Sequence, residues 1–247
     1  MINKKDSADT FGQLLLDHHI QQKPVNYVIE RDDGLINVDT TSGYFSFYED
    51  WPKEEQFIID QAISPVLDLG CGAGRHSLYL QTKGLDILAM DLSHGALEVA
   101  RQRGVKKTLF GDIKNLPRFD LRFGTFLFMG NNFALCGDPQ TMKRVIINLS
   151  EIALPYAKLI AHFRDPAPDN PHLDPVHREY HRQNRKKGLP VGQVQIRVLY
   201  RKLRTPWFKF YIPTIEEFTE IIESSCLWRI DTLIQKEQFV FAVVNHV

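Results

Sequence analysis

The segment Val66-Leu67-Asp68-Leu69-Gly70-Cys71-Gly72-Ala73-Gly74 restricts the folds open to this chain more than any other stretch. A short apolar run that breaks into three alternating glycines suits a strand buried on both faces and ending in a tight turn. Glycines at 70, 72 and 74 let the backbone turn sharply and approach a ligand with no Cβ in the way. The residues from Arg75 to Lys83 read as a helix, with Gly84 placed to stop it. Strand, glycine turn and helix in that order open a βαβ unit, and such units build parallel sheets.

The same alternation continues downstream. Leu85–Met90 reads as a second strand ending at Asp91, and Ser93 caps the next helix, which Gly104 closes. Thr108–Phe110 is a third strand, ending at Gly111-Asp112, and Phe126–Met129 a fourth, ending at Gly130-Asn131-Asn132. Asp138-Pro139 starts a helix whose apolar face is Met142, Val145, Ile146, Leu149 and Ile152. Leu159–Ala161 makes a fifth strand, Thr214 to Glu217 a capping box with Ile215, Phe218, Ile221 and Ile222 behind it, and Phe239–Val244 a terminal strand. The expected architecture is α/β, a doubly wound, mostly parallel sheet covered on both faces.

Ligands of such sheets bind beyond the carboxyl ends of the strands, near the switch point of the strand order. The dinucleotide fingerprint needs a third glycine at position 75, where this chain has Arg75. Asp68, two residues before the first glycine, repels a pyrophosphate and favours a ligand with a cationic part. S-adenosylmethionine combines an ammonium, a carboxylate, a sulfonium, a ribose and an adenine. The start of the helix at Arg75 offers N–H groups to its carboxylate. Asp91, twenty-one residues after Gly70, is placed for the ribose hydroxyls. Leu92 and Ile113 are placed for the two adenine faces, Asp112 for the adenine amino group, and Gly130 and Asn131 for the region of the sulfonium. Taken singly, each glycine could serve only a turn, Asp91 only a helix cap and Asp112 only a turn. Their recurrence at four successive strand ends is what carries the reading.

Composition removes other classes. Thirty Lys plus Arg balance thirty Asp plus Glu, so no general electrostatic grip on nucleic acid or on an anionic membrane is expected. No apolar run approaches the ~18–20 residues of a membrane span. Met1 to Thr10 is polar, without the apolar core of a secretory signal. Three cysteines, at 71, 136 and 226, are too few and too scattered for a disulfide framework or a cysteine-rich zinc site. The expectation is a soluble, cytoplasmic protein.

With these residues in view, the chain resembles the class I S-adenosylmethionine-dependent methyltransferases. Val66 to Gly74 matches the first motif of that family position by position. More narrowly, Gly130-Asn131-Asn132, Gly137-Asp138-Pro139 and Pro206-Trp207-Phe208 resemble a bacterial methyltransferase-like subgroup of undefined substrate. The resemblance implies a seven-stranded sheet with an antiparallel last strand, S-adenosyl-L-methionine as methyl donor and S-adenosyl-L-homocysteine as product. The cofactor-binding set is then Asp68, Gly70, Cys71, Gly72, Arg75, Asp91, Leu92, Asp112, Ile113, Gly130 and Asn131, closed over by Tyr44. Residues 1–52 become an N-terminal lid or cap, and 53–247 the methyltransferase domain with a lid inserted at about 164–192. Two departures stand out. Gly124 replaces the acid common before the fourth strand, and Pro155-Tyr156-Ala157 replaces Pro-Gly-Gly before the fifth. Neither touches the inferred cofactor contacts.

The acceptor side is less legible. The aromatic cluster Tyr44, Phe45, Tyr48 and Trp51 could close over the cofactor or plug the core under the first helix. The polar segment after the fifth strand carries His162, Arg164, His172, His177 and His181. Of these only His177 and His181 have a helical i, i+4 spacing, so no metal is expected. His162 as a base and Arg164 as a substrate anchor are the expected acceptor-pocket residues. The partner expected is a small-molecule acceptor, with no membrane. Nucleic acid ranks lower, because Asn131-Asn132-Phe133-Ala134 lacks both prolines of the amino-methylating tetrad. A non-catalytic binding protein of the same fold is the alternative that the sequence leaves open, and Arg75 argues against a nicotinamide oxidoreductase. The acceptor atom and the oligomeric state are not written in the residues.

Overall fold

A computed structural model describes residues 9–247. The polar start read in residues 1–8 lies outside the described residues. Among those described, no helix is long and apolar enough to cross a membrane.

The central sheet contains β3 (Val66–Leu69), β4 (Ile87–Asp91), β5 (Thr108–Phe110), β6 (Phe123–Phe128), β7 (Ala153–Arg164), β11 (Trp228–Lys236) and β12 (Phe239–His246). Its order is β11-β12-β7-β6-β3-β4-β5, with β3 to β7 parallel and β12 antiparallel to both β7 and β11. This is the seven-stranded sheet that the sequence implied. The order reverses between β3 and β6, which puts the glycine turn at the switch point. Every residue of β3 and of β6 is buried, as the unbroken apolar runs required.

Helices α4 (Arg75–Thr82), α5 (His94–Gln102) and α6 (Pro139–Glu151) follow the first, second and fourth strands of this core. Ser93 Oγ accepts from Ala96 N, and Asp138 accepts from Thr141 N, so both expected caps form. Gly84 and Gly104 stand just past α4 and α5 with φ of 82° and 109°. Met142, Val145, Ile146 and Leu149 of α6 are buried with Phe218, Ile221 and Ile222 of α8 (Ile215–Glu223). On the other face, Ile58 and Ile59 of α3 (Lys53–Ile59) and Trp51 pack on Val66, Leu127, Ile160 and Phe241.

A second sheet was not foreseen. Strands β1 (Asn26–Arg31) and β2 (Ile36–Thr40) form a hairpin, and β1 also pairs with β8 (Gln193–Tyr200), which in turn pairs with β9 (Leu203–Arg204) and β10 (Phe208–Tyr211). All these pairings are antiparallel. The sequence did carry the turn signal, Asp33-Gly34 between two alternating runs, and Gly34 adopts φ 87°. The N-terminal hairpin therefore shares a sheet with residues 193–211. Helix α1 (Thr10–Gln21) packs on α5, with Gly12 and Gly95 at the crossing, where a Cβ on Gly95 would lie 2.8 Å from the Gly12 backbone. The Asp9 carboxylate accepts from Gly12 N at 2.9 Å and Gly95 N at 2.8 Å, joining two helix starts.

Helix α7 (Pro175–Lys186) fills the polar segment after β7, started by Asp174 with Pro175 at the first helical position. That is the signal that opens α6, here in a segment whose polarity concealed it. His177 and His181 do share this helix. The His177 ring nitrogen pairs with Arg31 Nη1 at 3.0 Å, and His181 Nδ1 with the Val191 carbonyl at 2.9 Å. Among the described residues no group of three His, Cys, Asp or Glu is placed to hold a metal ion.

Candidate active site

The turn after β3 is held open by its own backbone. Gly70, Gly72 and Gly74 have φ of 82°, 54° and 78°, the left-handed region where a Cβ is penalised. The N–H groups of Gly70 and Cys71 both donate to the Met90 carbonyl, at 2.8 and 3.0 Å, which ties the turn to the end of β4. Asn132 Nδ2, from the 3-10 turn Asn132–Cys136 after β6, donates to the Leu69 and Gly70 carbonyls at 2.7 Å each. The turn is thus braced by both neighbouring strand ends.

The bracing makes Gly70 irreplaceable. A Cβ there would lie 2.6 Å from Asn132 Nδ2, whereas one on Gly130, at φ 64°, would meet nothing within 4 Å. The left-handed backbone alone costs a side chain about 1–2 kcal/mol. Gly70→Ala should therefore lose about 2–4 kcal/mol of stability, because it also disturbs the Asn132 bonds. Gly130→Ala should lose only about 1 kcal/mol. Thermal melting of the two variants checks this, and equal losses would refute the bracing by Asn132.

Asp91, the last residue of β4, faces the turn. Its Oδ2 accepts from Gly72 N and its Oδ1 from Ser93 N, each at 2.9 Å. Burial pushes this carboxyl up, opposed by those two backbone bonds. Asp68 lies beneath the turn, 1% exposed, accepting from Ser77 Oγ at 2.6 Å, and burial pushes it to about 6. Cys71 is buried, and burial raises its thiol. Asp112 accepts from Lys114 N at 2.9 Å, so it forms the turn after β5 as well as facing the strand ends. Leu92 is 59% exposed and Ile113 6%, an open apolar side chain and a packed one flanking Asp91 and Asp112.

At the fourth strand end Asn131 takes the left-handed conformation, φ 68°, which Asn tolerates better than most residues. Its N–H donates to the His162 carbonyl at 2.9 Å, and its Oδ1 accepts from Arg164 N at 2.7 Å. Asn131 thereby fixes the end of β7, where His162 and Arg164 project from the same face, two residues apart. The His162 ring stacks on Phe241 at 4.7 Å, and its Nδ1 is buried without a partner among the described residues. Burial pushes His162 down to about 4, the nearby Glu55 opposing, so the ring is neutral at pH 7.

The N-terminal segment closes over the turn from above. A Cβ on Gly72 would lie 3.4 Å from the Tyr44 ring, which stands in α2 (Ser42–Phe45). Tyr27 Oη donates to Asp39 at 3.0 Å, and burial raises the Tyr44 hydroxyl, with the charges of Asp39 and Asp91 adding to the rise. Phe45 stacks on His18 at 3.6 Å. Trp51 and Tyr48 behave differently. They pack on His76 and Tyr79 of α4, so of the aromatic cluster it is Tyr44 that reaches the turn.

Arg75 is committed to this cover. Its guanidinium pairs with the buried Glu55, donates to the Gly43 carbonyl at 3.1 Å and Ser46 Oγ at 2.8 Å, and lies over the Trp51 ring. Arg103, not singled out from sequence, donates to the Ala73 carbonyl at 2.6 Å and the Tyr44 carbonyl at 3.3 Å. Asn132 belongs to the strand end Gly130-Asn131-Asn132 read from sequence, whereas Arg103, Glu55, Tyr27 and Asp39 reach the site from segments that no local motif marks.

Residues 66–152 match the family model described as "Methyltransferase domain". Over 56 residues the chain is 46% identical to a malonyl-[acyl-carrier protein] O-methyltransferase of Pectobacterium atrosepticum. That alignment spans 22% of this chain and 22% of the relative, so the chain matches only about a fifth of that protein's length. The fold is matched far more widely. A SAM-dependent methyltransferase from Bacteroides fragilis, solved in complex with S-adenosyl-L-homocysteine, superposes with a TM-score of 0.80 at 19% identity, covering 98% of this chain and 96% of that one. A SAM-dependent methyltransferase from Methanosarcina mazei superposes with a TM-score of 0.61 at 19% identity, over 77% of this chain and 97% of its own. The sequence match across the glycine turn is thus to a methyltransferase domain, and the sheet order that surrounds it is the fold of these solved S-adenosylmethionine-dependent methyltransferases.

Proposed function

We propose that this protein transfers the methyl group of S-adenosylmethionine to a small-molecule acceptor in the cytoplasm. The observation that carries the reading is Asp91, a half-buried carboxylate at the switch point whose oxygens hold the glycine turn at Gly72 and the start of α5 at Ser93. The cradle fits such a cofactor, because the three left-handed glycines leave no Cβ over the turn where a side chain would stand in the way.

Gly70, Cys71 and Gly72 would hold the methionine end through their backbone, with Asp68 beneath them. Asp91 would take the ribose hydroxyls in charge-assisted bonds. Leu92 and Ile113 would flank the adenine and Asp112 would accept from its amino group. Gly130 and Asn131 would border the sulfonium, and Tyr44 would cover it. Arg75 would act by tethering that cover through Gly43 and Ser46. Bound there, the cofactor supplies an electrophilic methyl group on sulfur.

The chain's own residues hold donor and acceptor at attack distance and keep water out, which can lower the barrier by up to ~7–11 kcal/mol. His162, neutral at pH 7, would accept a proton if the acceptor starts protonated. A small acceptor is supported by the balanced charge of the chain and by the aromatic cover over the turn. The three cysteines, all unpaired, suit a reducing compartment.

Calorimetric titration with S-adenosylhomocysteine, with NAD as control, tests the cofactor. Micromolar binding of the former alone is expected. Binding of NAD, or of neither, would overturn the proposal.

A further inference from the structure

We infer that the methyl acceptor carries a carboxylate and that Arg164 is the residue that grips it. The inference rests on the methyl-transfer reading for the word acceptor, and on this chain's geometry for the anion.

Arg164 ends β7 beside the fourth strand end, its backbone N–H held by Asn131 Oδ1 at 2.7 Å. Its guanidinium stands over the Phe239 ring at 5.6 Å, and Phe239 is its cross-strand partner on β12. The Nε is buried with no hydrogen-bond partner, and among the described residues no carboxylate forms an ion pair with this arginine. Leaving a donor of a charged group desolvated and unpaired is costly. Arg178 Nε is likewise buried without a partner, whereas three other arginines avoid that cost. Arg31 is bidentate to Asp33, Arg75 is paired with Glu55, and Arg197 is paired with Glu30.

The neighbours leave this donor free. Asp39 favours the charge of Arg164 through its field, but it accepts from the Tyr27 hydroxyl and forms no ion pair with the arginine. His177 feels the charge of Arg164, but its ring nitrogen is occupied by Arg31. Asp39 acts on both Tyr44 and Arg164, and Tyr44 covers Gly72. Asn131 holds the Arg164 backbone while its neighbour Asn132 bonds the Gly70 carbonyl, so Arg164 stands at the same edge of the sheet as the glycine turn, beside which an acceptor must sit.

A guanidinium presents Nε–H and one Nη–H as a parallel pair that matches the two oxygens of a carboxylate. The His162 ring beside it is neutral at pH 7, so the site offers a single positive charge. One charge with one planar fork suits a monoanionic carboxylate better than a phosphate dianion.

The test uses the full chain saturated with S-adenosylhomocysteine, titrated with propionate, benzoate, the amides of both acids, and inorganic phosphate. At least one acid is expected to bind at millimolar concentration or below, with its amide about tenfold weaker or worse. Arg164→Gln should abolish the difference between acid and amide while S-adenosylhomocysteine affinity stays within about twofold. Arg164→Lys should restore part of it, since the charge returns without the fork. Amides binding as well as acids, phosphate binding better than both, acid binding that survives Arg164→Gln, or no acid binding at all would each overturn the inference. Failure of S-adenosylhomocysteine to bind would instead strike the methyl-transfer reading, and the same titrations on the unliganded chain would then decide the anion site by themselves.

Discussion

Asp91→Asn should raise the dissociation constant for S-adenosylhomocysteine about 100-fold, equivalent to about 2.7 kcal/mol. The charge-assisted bonds to the ribose would become ordinary ones, and the amide NH2 would point a donor at groups that need an acceptor. Asparagine is the informative replacement because the carboxylate has a second duty. It accepts from Gly72 N and Ser93 N, so alanine would release the glycine turn and the start of α5 along with the cofactor. The retained Oδ1 can keep one of those bonds, and the melting temperature should fall by only a few degrees. Calorimetry and thermal melting on one preparation separate the two effects. Unchanged affinity would remove Asp91 from the ribose site.

The largest loss of stability is expected at Glu55. Its carboxylate is 2% exposed and accepts from Arg75 and from His76 Nε2, the latter at 2.8 Å. Removing one partner of a buried ion pair typically costs 3–5 kcal/mol, because the other charge is left uncompensated. Glu55→Ala should lose about that much, and Glu55→Gln less, since the amide oxygen still accepts. Burial pushes the Glu55 carboxyl up, but the His76 hydrogen bond and the His76 and Arg75 charges outweigh it and hold it at about 2. The folded value thus lies below the unfolded one of 4.5, so the pair contributes fully above pH 4.5 and fades as pH falls towards 2. The gap between wild type and Glu55→Ala should be widest near neutrality and shrink in acid below that value. Urea melts across this range check it, and a gap that does not change with pH would refute the ion-pair account. Because Arg75 also holds Gly43 and Ser46, Glu55→Ala should loosen the Tyr44 cover and weaken cofactor affinity as well.

The legible part of the molecule was that in which local rules and the fold agree. The run from Val66 to Gly74, the caps at Ser93, Asp138 and Thr214 and the glycines after α4 and α5 are decided within a few residues of themselves. Hydrophobic period and turn chemistry suffice there, and the parallel order follows because βαβ crossovers have one hand. The placement of Asp91, Asp112 and Asn131 at strand ends was legible in the same way, since a parallel sheet brings its strand ends to one edge.

The rest required the chain to return on itself. The β1–β2 hairpin reads from sequence as a weak alternation, and it becomes a sheet only through pairing with β8, more than 150 residues later in the chain. Arg75 illustrates the limit. Its position at the start of a helix pointed to a ligand carboxylate, while in the folded molecule Glu55 supplies one from α3. Asn132 braces Gly70 across two strand ends, and Arg103 joins the turn to the Tyr44 segment. Backbone geometry and hydrophobic period are short-range quantities, so the sequence by itself determined the parallel core strands, their ends and the glycine cradle. Which charge meets which carboxylate, and which donor is left bare as in Arg164, depends on distances between segments remote in the chain. Only the tertiary structure decides those, because an ion pair or a desolvated donor exists only once packing has excluded water from both sides of it.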